Sequence, residues 1–376
     1  MRTLTQVDIT GLRVLLRVDY NVPLDKNGEI ADDFKIKKSL QTLRYILKRA
    51  KQVIIISHFG RPEGSFNPRL TMDGVAIRLM KLLGKNIVKL DDCIDVGVPE
   101  NKVILLENLR FHKGEKENNE LFAKKLSSHA DIFVNDAFSV CHRNHASVTG
   151  ITKFLPSCAG FLVQKEVENL NFKNAKKPFM IIMGGSKLST KFPVINSLIS
   201  KADKVLLGGA MIFTFFKASG KNVGKSLYEE KLMVAAKLLI NNEKLLLPKD
   251  IVCAPNLKSS KLKVVSPDNI AKNLIGLDVG EESLKEFKKV LKEAKTVFWN
   301  GPLGYYEIES FSKSTYEMAK FLSELSAKVI IGGGDSAAVV HKLGLVDKFF
   351  HVSAGGGSSL EFIKDGTLPG LEVLKH

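Results

Sequence analysis

Cysteine is scarce and scattered in this chain of 376 residues: the four, Cys93, Cys141, Cys158 and Cys253, form no CxxC pair. Such spacing indicates neither a zinc cluster nor a disulfide framework and fits a reducing compartment. Long apolar runs are also missing. The most apolar stretch, Val205 to Phe216, falls short of the roughly 20 residues that a membrane span needs. The start, MRTLTQVDIT, lacks the basic-then-apolar layout of a signal peptide, so the expected setting is the cytoplasm. Acidic residues are the minority charge: 40 Asp and Glu against 56 Lys and Arg leave a formal net charge of +16. That excess favours an anionic partner, whether nucleic acid, an anionic membrane or a phosphorylated metabolite. With 44% hydrophobic and 26% charged residues the composition is globular, which excludes wholesale disorder and collagen, and the length predicts two domains.

Short runs rich in Val, Ile and Leu recur: VLLRVD at 14–19, VIIIS at 53–57, VILLEN at 103–108 and IFVNDA at 132–137. Each reads as a buried strand. Between them lie segments of helical period, such as Asp32 to Ala50, with Ile36, Leu40, Leu43, Ile46 and Leu47 on one face. Strand and helix in alternation predict a parallel sheet covered on both sides. A second series follows Lys177: FMIIMGG, KVLLGG at 204–209, TVFWNG at 296–301, KVIIGGG at 328–334 and FFHVSAGGG at 349–357. A helical stretch from about Gln164 to Asn174, closed by Pro178, separates the two series and sets the domain boundary.

In the second half glycines follow nearly every strand: Gly184-Gly185, Gly208-Gly209, Gly332 to Gly334 and Gly355 to Gly357. At the carboxyl ends of parallel strands, free backbone amides and helix N-termini attract anions, so several such turns together suggest a phosphate-rich ligand. One turn alone would be a tight bend or a helix start. Two familiar motifs fail. GKNVGKS, from Gly220 to Ser226, is one residue short of a P-loop and follows no strand, so it reads as a surface turn. GGGDSA, from Gly332 to Ala337, matches the dinucleotide pattern, but the acidic residue expected about 20 positions on is missing, Asp347 coming too early. In GGSKLSTK, Lys187 and Lys191 stand four apart. A helix starting here would put both ammonium groups on one face, which is unfavourable unless an anion sits between them; the bland alternative is two solvated lysines.

The first half places polar and cationic residues at strand ends instead: Asp19 and Asn21 in RVDYNVPL, His58 and Arg61 in SHFGRP, Arg110 in ENLRFHKGE, and His142 and Arg143 in NDAFSVCHRNHAS. The planar fork of arginine suits phosphate and carboxylate, and three arginines and two histidines at one sheet edge suggest a small polyanion. Taken singly, Asp19 and Asn21 could shape the turn before Pro23, His142 or His145 could be structural, and the arginines could be surface charges.

RVDYNVPL, SHFGRP, ENLRFHKGE, GGSKLSTK, WNGPLGYYE, GGGDSA and VSAGGGSSLE, in this order and over essentially the whole chain, resemble the phosphoglycerate kinases. The resemblance implies an α/β fold of two Rossmann-like lobes, each a parallel sheet covered by helices. The first, 1–163, would bind 3-phosphoglycerate or 1,3-bisphosphoglycerate. An interdomain helix would span 164–177. The second lobe, 178–359, would bind magnesium ADP or ATP, and the tail 360–376 would pack back on the first. Reaction would require the lobes to close, and the expected state is a monomer. Asp19, Asn21, His58, Arg61, Arg110 and Arg143 match positions that hold the phosphoglycerate. Lys191, Asn300, Glu307 and the run Gly333, Gly334, Asp335 and Ser336 match positions around the ribose and phosphates, with Gly184, Gly185 and Gly208 in the preceding turns. Asp335 corresponds to the acidic residue near magnesium, and Lys187 to a lysine placed on the phosphoryl group in transit. The amides of Gly355, Gly356 and Gly357 would stabilise the transition state.

The implied chemistry needs no general base, because a carboxylate with a pKa near 4 is already ionised at neutral pH. Positioning and charge then carry catalysis. The sequence departs from the family's pattern at Lys35, where an arginine directed at the transferring group is usual, at Ser139 for glycine, at Ala354 for threonine and at Ser336 for threonine. An ammonium cannot reproduce a planar fork. Two other readings follow: a binding-only paralogue that has lost catalysis at Lys35, and a basic nucleic-acid binder, which the absence of any recognisable nucleic-acid module speaks against.

Overall fold

Each apolar run of the first series becomes a strand of one parallel sheet. In the computed structural model, which describes residues 1–375, the chain divides into two units, Met1–Glu168 with the tail from Asp365, and Asn169–Lys364. His376, the end of the expected tail, lies outside the described residues.

In the first unit β1 (Arg13–Arg17), β2 (Gln52–Ile56), β3 (Val88–Lys89), β4 (Val103–Leu105), β5 (Ile132–Asn135) and β6 (Ser157–Ala159) form one sheet of order β3-β4-β2-β1-β5-β6. Successive side chains point to opposite faces of a strand, which explains why these runs are apolar throughout rather than alternating. Val14, Leu16, Val53 and Ile55 pack on Ile36, Leu43 and Ile46 of the helix Phe34–Leu47 and on Val75 and Leu79 of the helix Asp73–Leu83. Leu15, Ile54, Ile56 and Phe133 pack on the other face, with Phe122 and Leu126 of the helix Glu120–Ser127. The tail is fixed here by backbone bonds from Gly370 to the Cys141 carbonyl (2.8 Å) and from Arg2 to the Leu374 carbonyl (2.8 Å).

The tail joins this unit at Asp365, later than position 360, because Gly357–Asp365 is one helix whose Ser358, Ser359, Phe362 and Ile363 are buried. The expected helix over 164–177 is instead Phe161–Leu170, and the division between the units falls within it, after Glu168. It ends because the Asn171 side chain accepts from the Lys173 N–H and starts a separate 3₁₀ turn, Phe172–Asn174.

The second unit is built around β7 (Phe179–Met183), β8 (Lys204–Leu207), β9 (Leu245–Leu246), β13 (Thr296–Asn300), β14 (Lys328–Gly332) and β15 (His351–Val352), in the order β15-β14-β13-β7-β8-β9. All of its pairings are parallel. β7, β8, β14 and β15 run into the four glycine turns, which therefore share one edge of the sheet. A second sheet escapes the sequence pattern: β10 (Ile251–Ala254), β11 (Lys263–Val265) and β12 (Ile275–Val279) pair antiparallel in the order β11-β10-β12. Among the described residues no helix is long and apolar enough to cross a membrane.

Candidate active site

The sheet edge of the first unit gathers Asp19, Asn21 and His58. Asp19 follows β1 and is nearly buried; its Oδ2 receives Lys35 Nζ at 2.7 Å and the Ser139 hydroxyl, while Oδ1 accepts the Asn21 N–H at 3.0 Å. Burial opposes ionisation of Asp19, but the Lys35 charge and these hydrogen bonds prevail and hold its carboxyl well below the usual range. Lys35 and Ser139, two departures from the family pattern, thus meet at one carboxylate oxygen. The Asn21 Oδ1 accepts the Gly60 N–H at 2.9 Å, which ties the β1 turn to the β2 turn.

Beneath this edge lies a buried network that motif reading did not single out. Arg17 is fully buried; its Nε donates to the Ser147 hydroxyl at 2.9 Å, its Nη1 to the Val18 carbonyl, and its Nη2 to His58 Nδ1 at 3.2 Å. Arginine is a donor only, so the neutral His58 ring carries its proton on Nε2. Burial pushes His58 down to about 3, and the Arg17 charge adds to that. Glu115 balances Arg17 at 3.9 Å and takes the Ser147 N–H at 3.0 Å and hydroxyl at 2.7 Å. Burial works against the Glu115 carboxylate, yet His145, Arg17 and Ser147 outweigh it and bring its pKa to about 2. The visible signal was a charge inside an apolar run, the second arginine of RVLLR.

Glu115→Gln would strand a buried guanidinium, and is expected to cost about 3 to 5 kcal/mol of stability at neutral pH. The Glu115 pKa is lower folded than unfolded, so its contribution is full above about 4.5 and is lost as pH falls through about 2. Urea unfolding at pH 7, 4 and 3 should therefore show the gap between wild type and variant closing as pH falls.

Arg110 is half-buried, with Nη1 on the Gly60 carbonyl at 2.8 Å and a buried Nε that has no partner. Burial, and then the like charge of Arg17, lower its pKa; an arriving anion would relieve both. Arg61 and Arg143 are exposed, and His142 and His145 are half-buried.

In the second unit Gly185, Gly209, Glu307 and Asp335 line a cavity of about 410 Å³ together with Ile212, Phe213, Leu227, Leu257, Leu277 and Tyr305. The glycine turns interlock there. Gly209 has φ +67°, and a Cβ on it would lie 2.4 Å from the Gly185 backbone nitrogen, so no larger residue fits. A Cβ on Gly184 would lie 2.0 Å from the Pro302 carbonyl oxygen. Gly208 is packed as closely, a Cβ there meeting a Leu303 side-chain carbon at 2.5 Å.

Lys187 does not share a helical face with Lys191. It precedes the helix Leu188–Leu198 in an extended conformation and is exposed. Glu229 caps that helix start, accepting the Ser189 N–H at 2.9 Å and its hydroxyl at 2.6 Å. Lys191 lies in the first turn, half-buried, with Nζ on Asn300 Oδ1. Burial lowers its pKa, while Asp335 pulls the other way. The Asn300 Nδ2 is buried with no partner and faces Gly333, whose added Cβ would stand 2.8 Å away. The Ser336 hydroxyl is committed to the Gly301 N–H at 2.6 Å, so it shapes the turn after β13. Asp335 and Gly334 are exposed at the start of the helix Gly334–Lys342, and burial together with the nearby Asp335 charge raises the Tyr306 pKa. Gly355 donates to Ser353 Oγ at 3.0 Å, and Gly356 has φ +55° just before the helix Gly357–Asp365. GKNVGKS is more than a surface turn: Ser226 is buried and accepts the Gly276 N–H at 2.9 Å, and Lys225 lines the cavity.

The exposed Asp335 carboxylate beside the glycine turns, with the unpartnered Asn300 amide donor near Gly333, fits a magnesium ion that would be held through one protein oxygen and the phosphates of a nucleotide.

Two α/β units, one with a cationic sheet edge and one with a glycine-lined cavity at its strand ends, have the make-up of a phosphotransferase of the two-lobed kinase type. A family model described as phosphoglycerate kinase matches residues 4–366, and the chain belongs to that family. It is 45% identical over 388 residues to the phosphoglycerate kinase of Pelotomaculum thermopropionicum, covering 99% of this chain and 98% of that one. It is 47% identical over 391 residues to the cytosolic phosphoglycerate kinase of Triticum aestivum, covering 99% and 97%. Among solved structures, phosphoglycerate kinase from Coxiella burnetii superposes with a TM-score of 0.88 at 38% identity, covering 99% of this chain and 98% of that one. The enzyme from Pyrococcus horikoshii gives 0.86 at 28%, covering 100% and 98%.

Proposed function

We propose that this chain catalyses reversible phosphoryl transfer between 1,3-bisphosphoglycerate and ADP, giving 3-phosphoglycerate and ATP. The observation that carries the reading is a buried, unpartnered donor in each unit, Arg110 Nε in the first and Asn300 Nδ2 in the second, each beside the residues expected to hold an anion. In the first unit Arg61, Arg110 and Arg143 supply forks for phosphate and carboxylate, His58 donates through Nε2–H, and Asp19 and Asn21 orient the glycerate. In the second, the apolar cavity takes the base, Glu307 the ribose, and the glycine turns with Lys191 and Asn300 the phosphates. Lys187 and the amides of Gly355 and Gly356 are assigned to the transferring group. Asp335 would hold magnesium, which when bound neutralises phosphate charge. The carboxylate of 3-phosphoglycerate is already ionised, so no residue needs to remove a proton, and electrostatic stabilisation of the equatorial oxygens carries the rate. Four free, buried cysteines support a cytoplasmic setting, and the positive charge serves small anions rather than nucleic acid.

A coupled assay with 3-phosphoglycerate, ATP and magnesium tests the reading, and no turnover above a blank at saturation would sink it. Arg143→Ala removes one charge-assisted contact of roughly 1.5 to 3 kcal/mol. Calorimetry is expected to show a weaker Kd for 3-phosphoglycerate by about ten- to a hundredfold, with ADP binding unchanged; the reverse pattern would overturn the assignment of ligands to units.

A further inference from the structure

The first unit carries a second cluster of chemistry that phosphoryl transfer leaves unused. β3 ends at Lys89 in a loop that holds Asp92 and Cys93, and beyond β4 the chain brings His112 up beside it, just before the short helix Lys113–Lys116. One donor atom from each of Asp92, Cys93 and His112 lies within 4.8 Å of the other two. The His112 Nε2 is 2.6 Å from Asp92 Oδ1, and the Cys93 N–H donates to that same oxygen at 2.6 Å. The Cys93 thiol lies within 4.8 Å of an Asp92 carboxylate oxygen. Carboxylate, imidazole and thiol converge.

The surroundings hold this arrangement in place. The Leu90 N–H donates to the Leu105 carbonyl at 2.9 Å, His129 Nε2 lies 3.1 Å from the Cys93 carbonyl, and Lys125 pairs with Asp95 at 2.5 Å. The His112 ring packs on Phe122 with centroids 5.4 Å apart. Cys93 is fully buried, whereas the Asp92 and His112 side chains are 45% and 28% exposed. Three donors of different hardness therefore close the inner side of the cluster, and its outer side is open to water.

We infer that Asp92, Cys93 and His112 form a site for a zinc-class divalent cation, with water as the fourth ligand. One sulfur, one imidazole nitrogen and one carboxylate oxygen is a mixture that zinc accepts, with an open position completing a tetrahedron. Magnesium asks for oxygen ligands and is excluded by the same set. On binding, the thiol proton is released to solvent, the Nε2–H that faces Asp92 is given up, sulfur and Nε2 bond the cation, and the neutral imidazole is left with its proton on Nδ1 instead. The cysteine spacing that argues against a zinc cluster concerns pairs of cysteines; it is silent about a site in which a lone cysteine meets two other ligand types.

Cobalt(II) is the probe. Added to the full-length protein after chelation and buffer exchange, it is expected to bind at one equivalent. A near-ultraviolet thiolate-to-cobalt band and the visible absorption of a four-coordinate ion should appear, abolished by zinc and untouched by magnesium. Cys93→Ser should lose the thiolate band. His112→Gln changes a half-exposed position and should weaken cobalt binding by more than about 100-fold, beyond the loss typical of an outer partner. No thiolate band in the wild type, a band that survives in Cys93→Ser, or an unchanged cobalt affinity in folded His112→Gln would each overturn the assignment.

Discussion

Lys35→Ala is expected to lower kcat by at least about a hundredfold, near 2.7 kcal/mol at about 1.36 kcal/mol per decade, with smaller changes in either KM. The side chain supplies a cation at the sheet edge proposed to hold phosphoglycerate and neutralises the nearly buried Asp19, 2.7 Å away. Arginine stands at this position in the family pattern, and from sequence alone Lys35→Arg promises up to about a tenfold gain in kcat by restoring the fork. The structure changes that expectation. Ser139, where glycine is usual, donates to the same Asp19 oxygen that Lys35 occupies, so a guanidinium brought to Asp19 meets a competitor. Lys35→Arg alone should therefore leave kcat level or lower it, and Lys35→Arg with Ser139→Gly should recover it. A double-mutant cycle in kcat at saturating substrates is expected to show coupling of roughly 1 to 2 kcal/mol, within the range for residues that share a partner. Additive effects would separate the two departures. An unchanged kcat in Lys35→Ala would reduce Lys35 to an ion pair for Asp19, and a folded wild type that binds both ligands without turnover would revive the binding-only reading.

How much of this molecule could be read from its residues depends on where the responsible groups lie. The parallel strands were legible because both faces of each sheet are covered, so the Val, Ile and Leu of VLLR and VIII are all interior. The antiparallel β10, β11 and β12 were not, because their sequences are interrupted by Gly276 and Asp278 and by the exposed Lys263. Asp278 belongs to a different job, accepting the Ser314 N–H at 3.1 Å at the start of the helix Lys313–Ser323. The glycine turns at one sheet edge were legible through composition alone, yet the start of the helix beside them was not. Its cap is Glu229, a residue distant in sequence that fixes Leu188 as the first helical residue and leaves Lys187 outside. Arg17 and Glu115 are similarly non-local: their partners Ser147 and His145 come from beyond β5, and only folding shows that these charges neutralise each other. Periodicity reports faces; it does not report which distant side chain completes a polar network.

Lys191→Met is the decisive change in the second unit, since it keeps the length and the apolar stem while removing the charge. The ammonium donates to Asn300 Oδ1, and the Nδ2 of that amide is already buried without a partner. On the proposed assignment, losing Lys191 takes one charge-assisted contact from the nucleotide phosphates, roughly 1.5 to 3 kcal/mol, and also frees Asn300, the second group expected to meet them. Magnesium ADP binding should weaken by about a hundredfold or more in calorimetry, while 3-phosphoglycerate binding, assigned in the proposed function to residues of the other unit, should stay where it was. Lys187→Met provides the contrast. Lys187 is exposed and stands ahead of the helix, so it has no part in holding Asn300, and its loss should leave ADP affinity within about threefold while lowering kcat by a large factor, as expected for a charge felt in the transition state and not in the ground state. Should Lys187→Met weaken ADP and Lys191→Met only slow turnover, the two lysines have exchanged roles. Should neither change reach the nucleotide, the cradle formed by Gly185, Gly209 and Asp335 is not where the phosphates lie.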